Sequence, residues 1–287
     1  MKKIKNEHFP YSILHADIIC EHKLAQIDRF SVETMHDHDG YEILLFLSGE
    51  ANIIVESEEK RLEPGDLLVI PPYTVHSIRV KNMDQYERIV LNFRTGILEQ
   101  LGDQETDFIS FFSPLDKNYF RLISLPDNHV DEMVELLHAL ISSLHKKQFG
   151  QSVLSRAYLT EFLVKIAGYT HKYSTTKYED IMPPIVKRTI SFIEQNLYNE
   201  LSVEIIAQSL HHNSDYLGRV FKNSTGGSLK YFINAKKIGT AQQLLSEGHP
   251  PYDVCFMLCF NNYSSFSRCF SQHIGLSPKQ FVMSLRK

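Results

Sequence analysis

The amino-acid sequence predicts two domains of different class: an N-terminal β-barrel with a helical hairpin, and an all-α C-terminal domain with two helix-turn-helix units. Three observations support this prediction. Short apolar segments alternate with turn residues up to residue 93, apolar residues recur at helical spacing after Pro126, and a segment near the end of the chain is repeated. A length of 287 residues also exceeds what one compact core usually holds.

Residues 31–93 have the pattern of short β-strands. The segment 41–47 is rich in aromatic and aliphatic residues and ends at Ser48-Gly49. Further on, Glu63-Pro64-Gly65-Asp66 has the signature of a type II turn, because proline presets φ at the second position and glycine allows the positive φ that the third requires. Short strands with turns about every 8–12 residues are typical of a β-barrel or sandwich. We therefore expect a jelly-roll barrel over residues 1–125.

Residues 126–172 are predicted to form a helical hairpin. Apolar residues recur at helical spacing from Val130 to Leu144, and a second helical run covers residues 153–169. These helices carry more apolar surface than a linker needs, so we expect them to pack on the barrel and on a second copy of the chain. Packing within one subunit only is the alternative. Residues 173–184, which are polar and end in Pro183-Pro184, are expected to be a linker.

The charge of the chain is distributed unevenly. From Pro184 to the C-terminus there are 11 Lys and Arg against 6 Asp and Glu, a net charge of +5, whereas the rest of the chain carries −9. A mildly basic half suggests contact with phosphates. No apolar run approaches the roughly 18 residues of a membrane span, and the first seven residues are not followed by the apolar segment of a secretory signal. We expect a cytoplasmic protein, whose four cysteines would be reduced core thiols: Cys20, Cys255, Cys259 and Cys269.

The C-terminal domain, residues 185–287, contains a duplicated unit. Residues 218–232 align with residues 267–281 at an offset of 49, and the Arg, Phe, Gly, Ser, Lys and Phe positions coincide. Upstream, Leu210 aligns with Leu258 at an offset of 48. The second copy therefore contains one extra residue.

Each copy is predicted to be a helix-turn-helix, over residues 203–224 and 251–273. After a short apolar helix and a tight turn, Asn213 or Asn261 is expected to cap the second helix, because its side chain accepts hydrogen bonds from free backbone N–H groups. The second helices direct four side chains into the core: Leu217, Phe221, Phe266 and Phe270. In such units the second helix enters the major groove of DNA, and a helix over residues 230–246 would hold the two units about one DNA turn, roughly 34 Å, apart.

The second copy carries a specific pattern: Asp253-Val254-Cys255, then residues 259–270, then Gly275-Leu276-Ser277-Pro278 and Phe281. With the first copy it resembles the DNA-binding domain of the AraC/XylS family over about a hundred residues. That family usually has glycine where this chain has Cys259. A left-handed cysteine there would cost about 1 kcal/mol. The family's usual arginine in the linking helix is replaced by Lys236 or Lys237.

The resemblance implies which side chains face the groove. The residues are Asp215, Gly218 and Arg219 in the first unit, and Tyr263, Ser265, Ser267 and Arg268 in the second. Arg219 and Arg268 are the strongest candidates for base or phosphate contacts, because arginine can grip guanine with two hydrogen bonds. A structural salt bridge is the alternative for both arginines. Lys222 is expected to touch phosphate or only solvent.

Two N-terminal segments, residues 36–42 and 65–76, carry a further pattern of His36, His38 and Glu42 followed by His76. They resemble the two motifs of a cupin barrel, and in metal-binding cupins these four positions hold one metal. Three imidazoles and a carboxylate would suit Fe, Mn, Ni or Zn. The AraC-type resemblance implies instead that the barrel binds a small effector without metal. No metal or other cofactor is therefore expected, and metal binding stays the alternative.

The inward residues of the barrel are expected to bind that effector, a sugar or related metabolite. Polar groups that converge in an apolar barrel mark ligand sites more often than not, although several could simply hold loops together. The candidates to bind a polyol or a carboxylate are His36, His38, Glu42, His76, Arg79, Asn92 and Arg94.

The function expected from these features is sequence-specific regulation of transcription in response to a small molecule, without enzymatic activity. The expected partners are a double-stranded DNA operator, the effector, a second copy of the chain and RNA polymerase. An activator is expected, although the sequence does not distinguish activation from repression. Two alternatives are left open: a cupin metalloenzyme, such as an isomerase or oxygenase, and a constitutive DNA binder with a vestigial barrel.

Overall fold

The computed structural model describes residues 17–24, 35–81, 85–112, 120–146, 148–173 and 180–285. The described chain forms two compact units that divide at Pro183 and Pro184, with residues 36–38 grouped with the second unit. The expected strand start at residue 31, the first seven residues and most of the expected linker lie outside the described residues. No described helix is long and apolar enough to cross a membrane.

The first unit is built on antiparallel strands. Those of its described residues are β1 (Ile18–Leu24), β2 (Gly40–Ser48), β3 (Ala51–Val55), β4 (Glu58–Arg61), β5 (Asp66–Ile70), β6 (His76–Val80), β7 (Glu87–Arg94) and β8 (Arg121–Ser124). They form a five-stranded sheet in the order β1-β7-β2-β5-β8 and a three-stranded sheet in the order β4-β3-β6. No ladder joins the two sheets among these strands, so the predicted barrel is an open two-sheet structure.

In the described part of this unit, four helices accompany the sheets: α1 (Thr95–Leu101), α2 (Phe108–Phe112), α3 (Asp127–His145) and α4 (Gln151–Tyr173). The last two are the predicted hairpin. Polar contacts join them as well as apolar packing, because the Lys165 ammonium lies 2.6 Å from Glu132 and the Ser143 and Ser155 hydroxyls lie 2.8 Å apart in the core.

The strand β2 is apolar on both faces. Ile43 and Leu45 belong to the core that α3 and α4 cover, whereas Leu44 and Phe46 belong to the core that also contains Ile53 of the smaller sheet. Successive side chains of a strand point to opposite faces, so a strand buried on both sides has a continuous apolar sequence. Each such side chain contributes about 1.5–3 kcal/mol when fully buried.

The register of β2 against β7 positions the polar groups of this unit. Glu42 lies opposite Asn92, and Gly40 lies opposite Arg94. Because Leu44 of the same β2 face lies in the inter-sheet core, Glu42 and Asn92 also face the space between the sheets. Two polar residues are therefore placed in a mainly apolar interior, which also contains the buried Arg88 opposite Phe46.

The end of the segment that leads to the second unit is held against β4. The Glu59 N–H donates to the Asp180 carboxylate at 3.1 Å, and the Ile181 N–H donates to the Glu59 carbonyl at 3.0 Å. Met182, the next residue, is buried. These contacts anchor residues 180–182 on the first unit.

The second unit is helical throughout its described part. Its helices are α5 (Pro184–Gln195), α6 (Val203–Ser209), α7 (Ser214–Thr225), α8 (Leu229–Ser246), α9 (Pro251–Met257), α10 (Tyr263–Ile274) and α11 (Pro278–Ser284). The pairs α6–α7 and α9–α10 are the two predicted helix-turn-helix units, and α8 joins them. The predicted core residues Leu217, Phe221, Phe266 and Phe270 are fully buried.

The N-caps of the second helices correct one expectation. Asn213 caps α7 as predicted, and its side chain accepts from the N–H groups of Asp215 and Tyr216. In the second copy, however, Asn262 and not Asn261 is the cap, and it accepts from the Ser265 N–H at 2.8 Å. The extra residue of the second copy therefore lies in the turn before α10.

The cysteines also differ in part from the expectation of core thiols. All four are free, and Cys20 and Cys255 are buried, whereas Cys269 is half-buried and Cys259 is exposed. Burial raises the pKa of Cys20 to about 12, so this thiol stays protonated at neutral pH.

Candidate nucleic-acid interface and effector site

The two recognition helices, α7 and α10, expose equivalent positions. Applying the offset of 49, four pairs of exposed residues correspond: Asp215 with Ser264, Tyr216 with Ser265, Arg219 with Arg268, and Asn223 with Gln272. The first, third and fourth pairs recur at intervals of four residues, so on each helix they lie on one face, away from the buried Leu217 and Phe266. This face is the part of each helix that is free to enter a groove.

Arg219 and Arg268 occupy the middle of these faces. Both are exposed, and neither guanidinium forms an ion pair or hydrogen bond with a residue that the structure describes. The alternative of a structural salt bridge is thus not found within the described chain. A solvated guanidinium on a recognition helix can donate two parallel hydrogen bonds to guanine or to a phosphate.

Tyr263 differs from the expectation of a groove-facing residue. Its ring lies 6.0 Å from that of Tyr252 and 6.0 Å from that of Phe266, and it packs on the core of the second helix-turn-helix. Burial raises the pKa of its hydroxyl. Tyr263 therefore stabilises the start of α10, and Ser265 and Arg268 are the exposed members of the predicted set in this copy.

The other predicted positions are less exposed. Gly218 and Ser267 are half-buried, whereas Lys222 is exposed near the end of α7. A Cβ added at Gly218 would meet no atom within 4 Å, so the protein itself does not require glycine there.

Sequence reasoning missed Tyr216, whose side chain is 44% exposed on α7, and Gln272 on α10. The repeat could have indicated Gln272, because it corresponds to Asn223 and lies one helical turn beyond Arg268. The repeat could also have indicated Tyr216, because at the offset of 49 it corresponds to Ser265, a member of the predicted set.

Lys237 of α8 supports the turn of the second unit. Its ammonium donates to the Leu258 carbonyl at 2.7 Å and to the Asn199 carbonyl at 3.2 Å, and it lies 5.7 Å from the centre of the Phe260 ring. Burial lowers the pKa of Lys237. Lys236 instead pairs with Glu194 at 3.3 Å. Lys237 is thus the buried cation of the linking helix.

In the first unit, Glu42 and His76 approach each other. The His76 Nε2 lies 3.8 Å from a Glu42 carboxylate oxygen, and both side chains are almost fully buried. The His76 Nδ1–H donates to the Thr74 carbonyl at 2.9 Å, which fixes the orientation of the ring and directs Nε2 toward Glu42. Asn92 lies opposite Glu42 on the neighbouring strand. These groups converge as the sequence suggested.

Of the four residues that match the cupin metal positions, Glu42 and His76 lie together in the first unit, whereas His36 and His38 are grouped with the second unit. The Nδ1 hydrogen bond of His76 to a backbone carbonyl is also typical of ligating histidines.

Arg79 and Arg94 lie elsewhere. Arg79 is three residues from His76 on β6 and points to the opposite face, where it contacts Glu59 at 2.8 Å and Glu59 also accepts from Asn52. The expectation that Arg79 shares a pocket with His76 is therefore wrong. Arg94 ends β7, its side chain is 48% exposed, and its guanidinium lies 3.6 Å from Asp17.

Arg94 instead lines a cleft at the end of β7. The cleft has a volume of about 300 Å³. Its lining residues are Asp17, Asp39, Tyr73, Arg94, Thr95, Gly96, Ile97, Gln100 and Arg156. The sequence did not indicate this cleft, because Arg156 is contributed by α4, far along the chain.

The two units together define a class of protein, a DNA-binding regulator with a separate ligand-binding domain. The AraC-like ligand binding domain matches residues 20–163, and a helix-turn-helix domain model matches residues 206–284. The chain belongs to the AraC family of transcriptional regulators.

The chain is similar to known transcriptional regulators over most of their length. The probable transcriptional regulator LumQ of Photobacterium leiognathi is 25% identical over 88% of this chain and 94% of its own. The melibiose operon regulatory protein of Escherichia coli strain K12 is 26% identical over 86% of this chain and 83% of its own. Among solved structures, fatty-acid-bound ToxT of Vibrio cholerae covers 93% of this chain and 95% of its own, at 14% identity and a TM-score of 0.39.

Proposed function

We propose that this regulator reads an operator with Arg219 and Arg268 and changes its activity when a small metabolite binds to the first unit. The observation that carries the proposal is the pair of exposed arginines at equivalent positions of two capped recognition helices. Each arginine can discriminate a base by about 1–3 kcal/mol. Two such helices would read successive major-groove segments.

The effector is proposed to be a sugar or a related polar metabolite. The supporting observation is that Glu42 and His76 are almost fully buried 3.8 Å apart and that Asn92 lies opposite Glu42, since a few polar groups in a mainly apolar interior orient the ligand in most small-molecule sites. Two relatives are named for operons, the melibiose operon of Escherichia coli and the Msm operon of Streptococcus mutans. The ligand must bind one state of the protein better than another, since otherwise no equilibrium shifts.

A homodimer is proposed on the basis of the exposed face of α4. Val153 and Val164 are 71% and 50% exposed, and Phe149, just before the helix, is fully exposed. Apolar side chains concentrated on one helix of a soluble unit favour association with another protein surface. The occupant proposed is a second copy of this chain, with RNA polymerase as a further partner on DNA and the cytoplasm as the compartment.

The experiment combines ligand stabilisation with operator binding. Purified full-length protein is screened by thermal shift against sugars and sugar derivatives, and binding to a selected operator is measured with and without each hit. A metabolite that raises Tm and changes operator affinity or the footprint supports the proposal. Operator binding with no response to any metabolite supports the constitutive binder.

A metalloenzyme is the second candidate, because Glu42 and His76, two of the four residues that match the cupin metal positions, approach to 3.8 Å in the first unit. Elemental analysis of protein purified without a histidine tag tests it. Near-stoichiometric Fe, Mn, Ni or Zn, lost in Glu42→Gln and His76→Ala variants, would favour that candidate.

A further inference from the structure

We propose that the cleft at the end of β7 binds the carboxylate of a small sugar acid, such as a uronate, through Arg156. This inference rests on the proposed function and narrows the effector class. The cleft lies entirely within the first unit, where β7, α1 and α4 contribute Arg94, Gly96 and Arg156.

The position of the cleft connects it with the polar interior. Arg94 lies opposite Gly40, and Asn92 lies opposite Glu42. Two residues along a strand span about 7 Å, so Arg94 lies about that far along β7 from the Asn92–Glu42 pair. Asp39, which also lines the cleft, directly precedes β2.

Arg156 is the residue of the lining that is best placed to bind an anion. Arg94 has a carboxylate nearby, since its guanidinium lies 3.6 Å from Asp17. Arg156 is half-buried on α4, and among the described residues its guanidinium has no acidic partner. A half-buried cation without a counter-ion gains from a ligand carboxylate, and a guanidinium can bind one through two parallel hydrogen bonds.

The remaining polar residues suit hydroxyl groups. The Asp39 and Asp17 carboxylates can accept hydrogen bonds from hydroxyls, and the Gln100 amide can donate and accept. Two carboxylates beside the cation would disfavour a ligand that is only anionic, such as phosphate. A volume of about 300 Å³ is at the small end of ligand pockets. This combination fits one six-carbon acid with several hydroxyls.

Tyr73 gives an independent indication. It has a φ of 60°, a left-handed conformation that a bulky residue rarely adopts. Strained residues of this kind persist mainly at functional sites, because the surrounding structure holds them in place. Here the strain places an aromatic ring in the lining of the cleft, where it can cover the apolar face of a sugar ring.

The experiment uses matched ligands on the full-length protein. Isothermal titration compares D-galacturonate with D-galactose, and D-glucuronate with D-glucose, because each pair differs only in the carboxylate. Inorganic phosphate is the control for a simple anion. We expect one uronate to bind at least about tenfold more tightly than its parent sugar, a difference of about 1.4 kcal/mol, and phosphate to bind no better than that parent sugar.

Four variants test whether the uronate binds in the cleft. Arg156→Ala should remove the preference for the acid, Arg156→Lys should retain part of it, and Lys146→Ala, which removes an exposed charge outside the cleft, should leave it unchanged. Gly96→Leu should block binding without lowering Tm, since a Cβ at Gly96 would meet no atom within 4 Å. Tm of each free variant identifies any loss of folding.

Equal affinity for acid and parent sugar, uronate binding unaffected by Arg156→Ala, or no uronate binding at all would overturn the inference. The proposed function fails separately. If a neutral sugar changes operator binding, the proposed regulatory function is supported and only the proposed specificity for an acid is wrong. If a uronate binds at Arg156 without affecting DNA binding, the proposed binding site is supported and the proposed role of the uronate as effector is wrong.

Discussion

His211 and Cys259 occupy the same position in the turns of the two helix-turn-helix units, and both have left-handed backbones, with φ of 59° and 52°. In both copies the next residue donates its N–H to a carbonyl five residues back, His212 to Ala207 and Phe260 to Cys255. The turn is thus duplicated in geometry although its residues differ. Neither copy has the glycine that this conformation favours.

Replacing Cys259 with glycine is therefore expected to stabilise the second unit by about 1 kcal/mol, because glycine removes the steric cost of the left-handed conformation. The variant also loses the contact of the thiol with the Tyr198 carbonyl, 3.2 Å away. This loss offsets little of the gain in stability, since the sulfur is exposed. Urea unfolding of the full chain measures the change, and His211→Gly is the matched variant in the first copy. A destabilised Cys259→Gly protein would show that the thiol and not the backbone determines this turn.

Asn262→Ala is expected to cost about 1 kcal/mol of stability, because the side chain caps α10 through the Ser265 N–H. Asn261→Ala is the control, since Asn261 is exposed and does not cap the helix. Equal losses in the two variants would contradict the assignment of the cap.

Gly218→Ala is expected to stabilise α7 by up to about 1 kcal/mol, since alanine is the better helix former and the added methyl group meets no atom within 4 Å. Gly168→Ala in α4, where the surroundings are equally open, provides the comparison. If Gly218→Ala weakens operator binding while it raises Tm, DNA approaches this backbone closely. A lowered Tm would contradict the prediction that the added methyl group meets no neighbouring atom.

The contact of Glu132 with Lys165 should make the α3–α4 hairpin sensitive to acid. Lys165 and then Tyr169 donate hydrogen bonds to Glu132 and lower the pKa of its carboxyl to about 2, from an ordinary value of 4.5. A lowered folded-state pKa adds stability above pH 4.5 that is lost as the pH falls toward 2. The group is 38% exposed, so we expect less than about 1 kcal/mol.

Glu132→Gln measures that contribution. The variant should be less stable than the parent at pH 7, and the difference should shrink as the pH approaches 2. Thermal unfolding at several pH values gives both curves, and a difference that is the same at every pH would exclude an ionic origin.

Much of the second unit could be predicted because it is duplicated. Alignment of the copies identified the core residues Leu217 and Phe266 and the cap Asn213, since each was constrained twice. It placed the second cap one residue early, at Asn261, because an alignment cannot locate an inserted residue inside a turn. The observed cap at Asn262 depends on how that turn closes around Cys259.

The ligand-binding unit was less predictable for a physical reason. Arg79 is an exception, because its odd spacing from His76 on one strand already puts the two side chains on opposite faces. The positions of His76 and Glu42 followed from a motif, whereas the cleft depends on Arg156 of α4 lying near Arg94 of β7. Nothing in the local sequence encodes that tertiary contact.

Both recognition helices are proposed to read DNA sequence, and selection of bound fragments from random DNA measures this directly. The full-length protein should select two short motifs whose centres lie about 10 base pairs apart. Arg268→Ala should lose base preference within one motif and Arg219→Ala within the other, each reducing operator affinity about tenfold or more. Lysine at either position should retain phosphate attraction but not the preference. Unchanged motifs and affinity in both alanine variants would contradict the account.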